Sequence, residues 1–395
     1  MALSENEPSS TDPKVTATAH LGEPIEQVLD FDTWEQGNDL ASTYARIEQE
    51  VRQAVGQEER VAEEVRQRIL PMIRQRPGAP PGAGLYAVTL DQLKWAHSYL
   101  LFNGLTMAAD GTVATHETLL MTMAQIGVCT VSYAGDQSEF RKQLFRRDMR
   151  LEEADPVEEM ASVLEQRRER AALGYEDTSD ELNQLLRRGL MEYAERGFLL
   201  REGKGHWLMG HGSPVPKEML VGTSTLQLVE ASLTLLRELI LGHRKFVYVP
   251  SSPRDLVAIT LGNALSPLQF MIVDTLYDQL EGWIRNARYP QSMGRKVRAF
   301  VEEVGPQVVR GVYRAASGSP PYVFYAHADH AQEAALIALA DSVLQEYRGF
   351  PMLLSIADNL CRASFEPASF QNLVQQSYAA AGQPFRYLTE RETRR

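Results

Sequence analysis

Between Thr43 and Arg76 apolar residues recur mostly every three or four positions. Ile47, Val51, Val55, Val61, Val65 and Ile69 are separated by charged and amide side chains, a spacing that predicts one long amphipathic helix. The Pro/Gly run RPGAPPGAG (Arg76–Gly84) breaks it. TLDQLKWAHSYLLF then predicts a shorter helix with Thr89 as its N-cap. The period changes after that. GLTMAAD is a short apolar run ending on Asp110, and TLLMTMAQIGVCTVSY is a long run rich in β-branched residues. They predict two adjacent strands joined through Asp-Gly-Thr and a polar connection. The charge-rich stretch from Glu139 to Arg201 predicts mainly helix. HWLMGHGSPVP predicts a strand ending in a turn, and TSTLQLVEASLTLLRELI a helix capped by Thr223 or Ser224. KFVYVPSSPRDL predicts a buried strand and turn, and PLQFMIVDTLYDQLEGWIRNA a helix. QVVRGVYRAA and PYVFYAHA predict strands. DHAQEAALIALADSVLQEY, GFPMLLSIADNLCRASF and PASFQNLVQQSYAAAG predict three helices that close the chain. Strands alternating with helices define an α/β fold, and the hairpin-like early strands make its sheet mixed.

The 395 residues suffice for a large core, and 44% hydrophobic with 23% charged residues is a globular mixture. Residues 1–30 read as a disordered polar tail without the basic and apolar regions of a signal peptide. Residues 31–84 form the helical N-terminal segment and linker, and 85–385 the main domain. No apolar run reaches the ~18 residues of a membrane helix. Cys129 and Cys361 are the only cysteines; both sit in apolar surroundings, which fits a reducing cytoplasm. The net charge of −12 argues against a protein that coats DNA through a diffuse basic surface.

There is no P-loop, GxGxxG, GxSxG or HExxH pattern, so nucleotide hydrolysis, dinucleotide binding and serine-hydrolase chemistry have no sequence support. What the chain offers is carboxylates and histidines near predicted strand ends, where α/β folds place their sites. Hard oxygen ligands of this kind hold Mg²⁺ or Mn²⁺ for phosphodiester hydrolysis. Asp110 is the first candidate; Asp-Gly is equally a hairpin-turn signal. His116 and Glu117 follow closely, His116 with a pKa suited to a general base. YAHADH (Tyr325–His330) has no zinc spacing, and Asp329 reads as a helix cap. Arg141–Arg150 and Gly294–Phe300 are the basic patches available to phosphates, and each is also readable as a solvated face. Asp274 and Asp278 lie in an apolar predicted helix, at its edge.

Over roughly residues 85–380 these blocks resemble the NurA family of DNA repair nucleases. DGTVATHETLLMTMAQIGVCTVSY is similar to the family's first motif, an Asp-Gly-Ser at a strand end followed by a long strand. LLRRGLMEYAER resembles its helix with an inward Glu, here Glu192. HWLMGHGSPVP falls where the family has a second Asp-Gly-Ser, so His211 stands in place of Asp. HRKFVYVPSSPRDLVAI resembles the next strand and turn. YRGFPMLLSIADNLCRASFEPASFQNLVQ resembles the C-terminal block, with Asp358 where the family has His. The resemblance implies an RNase H-like mixed sheet flanked by helices. It also implies a DNA endo/exonuclease using Mn²⁺ (or Mg²⁺) in end processing and double-strand break repair, as a homodimer on a HerA-like hexameric ATPase. The implied metal and catalytic set is Asp110, Glu192, His211 and Asp358, with Asp and His exchanged. Either the ligand inventory is kept in permuted positions, or the lost carboxylate leaves a catalytically inactive scaffold subunit.

Overall fold

The computed structural model describes residues 24–34, 40–117, 121–147, 155, 157–158, 161, 165, 184–203, 205–221, 226–252, 256–285, 287 and 289–387. The expected N-terminal tail up to residue 23 and the expected caps Thr223 and Ser224 lie outside them. The chain divides into two compact units between Val61 and Ala62, inside the long helix Leu40–Arg68 that the apolar spacing predicts. In the first unit Tyr44, Ile47, Val51 and Val55 of that helix are exposed.

The second unit is built on one nine-stranded sheet. Its strands are β1 (Gly84–Ala87), β2 (Thr106–Glu117), β3 (Met121–Ser132), β4 (Gln137–Arg147), β5 (Trp207–His211), β6 (Phe246–Val249), β7 (Gln269–Thr275), β8 (Val308–Arg314) and β9 (Tyr322–His327). The order across the sheet is β1-β7-β8-β9-β6-β5-β2-β3-β4. β2, β5 and β6 run parallel and every other pairing is antiparallel. The run β4-β3-β2-β5-β6, an antiparallel meander followed by two strands parallel to its first, is the RNase H-like core.

Helices cover both faces, and the strands alternate between them with the period of two that pleating imposes. Met107, Ala109, Leu208, Phe246 and Tyr248 point to one face, packed with Leu199, Leu233 and Val301 of the helices Gln184–Glu202, Leu226–Arg237 and Gln291–Val304. Ala108, Met209, Val247 and Val249 point to the other, packed with Leu93, Ile337, Leu353 and Ala357 of Leu90–Ala96, Ala331–Val343 and Met352–Ser364. The Thr89 cap forms as a full capping box. Its hydroxyl accepts from Gln92 N at 3.2 Å, and the Gln92 side chain accepts from Thr89 N at 2.8 Å.

Three expectations are corrected. β2 does not end at Asp110: it continues unbroken through Asp-Gly-Thr, with Asp110 opposite Cys129 and Glu117 opposite Thr122. Gln137–Arg147 is a strand rather than a helix. Phe140 and Leu144 turn toward the core while Glu139, Arg141 and Gln143 face solvent, and the charges of that exposed side mask the alternation. The predicted helix at Pro267–Ala287 opens as β7, because QFMIVDT is buried between helices on both faces; only Tyr277–Arg285 is helical.

Candidate active site

The pairing of β2 with β5 ends at Ala109 and Gly210. Asp110 and His211 are the next residues on these parallel strands, and Ser251 follows the end of β6. All three sit at the carboxyl edge of the parallel strands, where such sheets open a crevice. Asp110 shares a face with Ala108, so it points under the Met352–Ser364 helix. That helix turns Asp358 toward it, and the two carboxyls hydrogen-bond to each other. Burial, then the charge and hydrogen bond of Asp358, push the Asp110 pKa up to about 7; the Gly111 N–H and Arg362 oppose them. Arg362, one turn beyond Asp358, donates from Nε to its Oδ1 at 2.7 Å.

His211 Nε2 accepts from Ser251 N at 3.3 Å and lies 2.9 Å from Ser251 Oγ. An accepting Nε2 puts the proton of the neutral ring on Nδ1. Burial and the Arg196 charge hold its pKa below the usual imidazole value, against Asp358. Arg196 is itself buried. It donates to Pro214 O at 3.0 Å, Ser213 O at 2.5 Å and Glu192 O at 2.8 Å, which ties the Gln184–Glu202 helix to the turn after β5 and so positions His211.

That helix packs on the opposite face of β2 from Asp358, and it brings a carboxyl that the sequence reading did not select. Glu195 lies directly against Gly111: a Cβ there would collide with the Glu195 carboxyl and with Met191. Glu195 is buried beside Arg196, and its pKa is pushed up to about 8, chiefly by burial, with Asp110 and Glu192 adding to the rise. Glu192, one turn earlier, has a different neighbourhood. Its Oε1 accepts from Arg188 Nε at 3.2 Å and Glu218 lies nearby, while its Oε2 is buried without a hydrogen-bond partner among the described residues. Burial raises its pKa as well. Helical spacing alone could have flagged Glu195, since it lies three residues from Glu192 on the same helix side.

Asp110, His211, Ser251 and Asp358 open into one cavity of about 310 Å³, whose remaining wall carries Tyr322, Arg348, Phe350 and Arg362. Among the described residues no three His, Cys, Asp or Glu side chains converge as a coordination set. That donor chemistry does not fit zinc, which takes three or four protein ligands. It fits a cation of the Mg²⁺ or Mn²⁺ class, which commonly takes one or two carboxylates and completes its shell with water and substrate oxygens. Asp110 and Asp358 are such a pair, because a divalent charge between them relieves the repulsion that helps to raise the Asp110 pKa.

The other candidates are placed elsewhere. His116 is buried in an aromatic cluster, its ring 5.7 Å from that of Tyr378 and stacked at 5.4 Å on Phe385; the Glu117 side chain lies outside the described residues. In YAHADH it is His327, not Asp329, that caps the following turn, its Nδ1 accepting from Asp329 N at 3.1 Å. Asp274 is on β7 and held by Arg310 at 2.8 and 2.5 Å. Asp278 sits in the first turn of the Tyr277–Arg285 helix. Arg141 and Lys142 are exposed on edge strand β4, the side chains of Arg146–Arg150 lie outside the described residues, and Arg295 and Arg298 line a separate cavity with Tyr289.

The fold and site together define a mixed α/β protein with an acidic crevice at the carboxyl edge of its parallel strands. In architecture it is similar to NurA nucleases. The crystal structure of the NurA nuclease from Sulfolobus solfataricus matches at 11% identity and a TM-score of 0.43, covering 85% of this chain and 98% of that one. A NurA structure bound to dAMP and manganese matches at 11% identity and a TM-score of 0.41, covering 84% and 95%. A NurA structure with manganese matches at 10% identity and a TM-score of 0.37, covering 73% and 96%. Neither a protein-family model nor a curated protein matches the chain. No described helix is long and apolar enough to cross a membrane.

Proposed function

We propose that the chain is a metal-dependent deoxyribonuclease that hydrolyses DNA phosphodiesters in the Asp110–Asp358 cavity, with Mn²⁺ or Mg²⁺ held by those two carboxylates. The observation behind this is the hydrogen-bonded carboxyl pair at the edge of the parallel strands, facing a cavity that also holds arginines. When bound, such a cation supplies Lewis acidity toward a phosphoryl oxygen and lowers the pKa of water. The residues of the chain orient and exclude. Arg362 fixes the Asp358 carboxylate, Glu195 backs the strand beneath Asp110, and His211 presents an Nδ1–H while Ser251 occupies its other nitrogen. Glu192 and His211 complete the implied ligand set only if they turn toward the pair when the cation binds. We further propose DNA end processing in the cytoplasm, as a homodimer on a HerA-like hexameric ATPase. A net charge of −12 suits a nuclease whose DNA is delivered by a partner.

A second reading, a catalytically inactive scaffold of the same complex, is favoured by the lack of a three-residue ligand cluster among the described residues. Cleavage of linear single- and double-stranded DNA in Mn²⁺ separates the two. Asp110→Asn is expected to lose on the order of 100-fold or more of the activity, the scale on which groups acting in the transition state count, with its melting temperature maintained. Wild type and variant both inactive in every divalent metal would leave the scaffold.

A further inference from the structure

A cavity lined by Asp110 and Asp358 holds a polyanion best where, beside the cation proposed for that pair, a cationic side chain on its wall is free to meet a phosphate. Arg196 is buried and committed to three carbonyl oxygens. Arg362 gives its Nε to Asp358, an ion pair that offsets the charge of that carboxylate. Arg348 is different: it lines the same cavity, is exposed, and among the described residues has no carboxylate within ion-pair distance.

Its position is built rather than incidental. Gln345 Oε1 accepts from Arg348 Nη1 at 3.2 Å, while Gln345 Nε2 donates to Phe350 O at 3.2 Å and to Ser355 Oγ at 3.0 Å. The backbone of this turn is closed by Arg348 N and Gly349 N donating to Gln345 O at 2.9 and 2.7 Å. Gly349 sits at φ +61 against Ser319, where a side chain has neither the conformation nor the room. One amide therefore locks the turn, the carbonyl before the Met352–Ser364 helix and the guanidinium. Much of the entropy that a long side chain loses on binding is already lost.

We propose that Arg348, held by Gln345, is the phosphate-anchoring residue of this cavity, taking a phosphate ester of the nucleic-acid backbone in a forked hydrogen bond. This rests on the hydrolytic reading of the cavity, which supplies the polymer. The anion chemistry rests on Arg348 itself. Tyr322 lines the same cavity, so the sugar or base attached to that phosphate meets an aromatic wall.

Titration calorimetry with thymidine 5′-monophosphate and with inorganic phosphate, in Mn²⁺ and in EDTA, tests the anchor without requiring turnover. Arg348→Ala is expected to weaken binding about tenfold or more, as for loss of a charge-assisted hydrogen bond. Arg348→Lys is expected to weaken it less, and Gln345→Ala to fall between them. With a labelled single-stranded oligonucleotide in an Asp110→Asn background, Arg348→Ala should flatten the dependence of log K on log salt by about 0.7, one phosphate contact. In cleavage it should raise KM more than it lowers kcat. Binding and salt slope equal to wild type, or a wild type that binds neither anion, would overturn the anchor. Binding that depends on Arg348 without cleavage in any metal would keep the anchor and remove the hydrolysis. Cleavage that depends on Asp110 but ignores Arg348 would do the reverse.

Discussion

Glu195 shows how a residue's neighbours decide its chemistry. It differs from Glu192 by less than one helical turn, yet it alone lies against the strand that carries Asp110. Its folded pKa of about 8 stands above the ordinary 4.5, and burial is the main cause. Between those values the folded chain keeps a proton that the unfolded chain has released, so stability falls as pH rises across the interval and levels off above it. Melting temperatures of the metal-free protein should therefore decline from pH 4.5 toward 8. Glu195→Gln should flatten that decline and melt higher than wild type at the alkaline end. Arg196 keeps its three carbonyl acceptors in this variant and loses only the charge of the carboxyl 3.5 Å from its Nη1. An unchanged slope in Glu195→Gln would mean that Glu195 is ionised in the folded protein.

At the level of elements, the sequence was most legible where local chemistry and tertiary structure agree. The Thr89 capping box, the Trp207–His211 strand ending in its turn and the closing helices follow from caps and periodicity alone. Asp-Gly-Thr was misread because its glycine answers to a contact from another element. Locally, Asp-Gly is a turn signal; in the sheet, Gly111 is the place where β2 makes room for Glu195 from a helix more than eighty residues away. No local pattern carries that information. The same holds for choosing between Glu192 and Glu195, and for Arg348, an isolated charge in a turn whose meaning depends on Gln345 and on the carboxyls across the cavity. β4 and β7 were missed for the opposite reason: exposed charges hid the alternation of one, and burial on both faces removed it from the other. The close approach at Gly111 makes a stability prediction. Gly111→Ala should cost about 1–3 kcal/mol, the range for overpacking a filled site, read as a lower urea midpoint at unchanged slope. Shortening the opposing side chain in Gly111→Ala/Glu195→Ala should recover part of it. Additive losses in the double variant would place the strain elsewhere.

For the whole molecule, the two units pose different problems. The second buries its apolar residues in two cores, one on each side of the sheet. The first does not: Leu40, Tyr44, Ile47, Val51 and Val55 of the long helix stay exposed at three- and four-residue intervals. A stripe with that spacing has the geometry that the seam of a helix pair requires. Its flanks carry ion pairs within the helix, such as Arg52 with Glu48 at 2.6 Å, which keep the charges off the stripe. A second copy of the same helix presents a matching surface and needs no further partner, which agrees with the homodimer proposed above. Sedimentation equilibrium of the full chain at micromolar concentrations is expected to give a dimer. Val51→Glu places a charge in the middle of the seam and should weaken association about tenfold or more, since a buried unpaired carboxylate must be desolvated or protonated. Because Val51 is exposed within its own unit, the same substitution should leave the melting of the second unit unchanged. A monomeric wild type, or a Val51→Glu variant that dimerises as tightly as wild type, would show that this stripe is not where two copies meet.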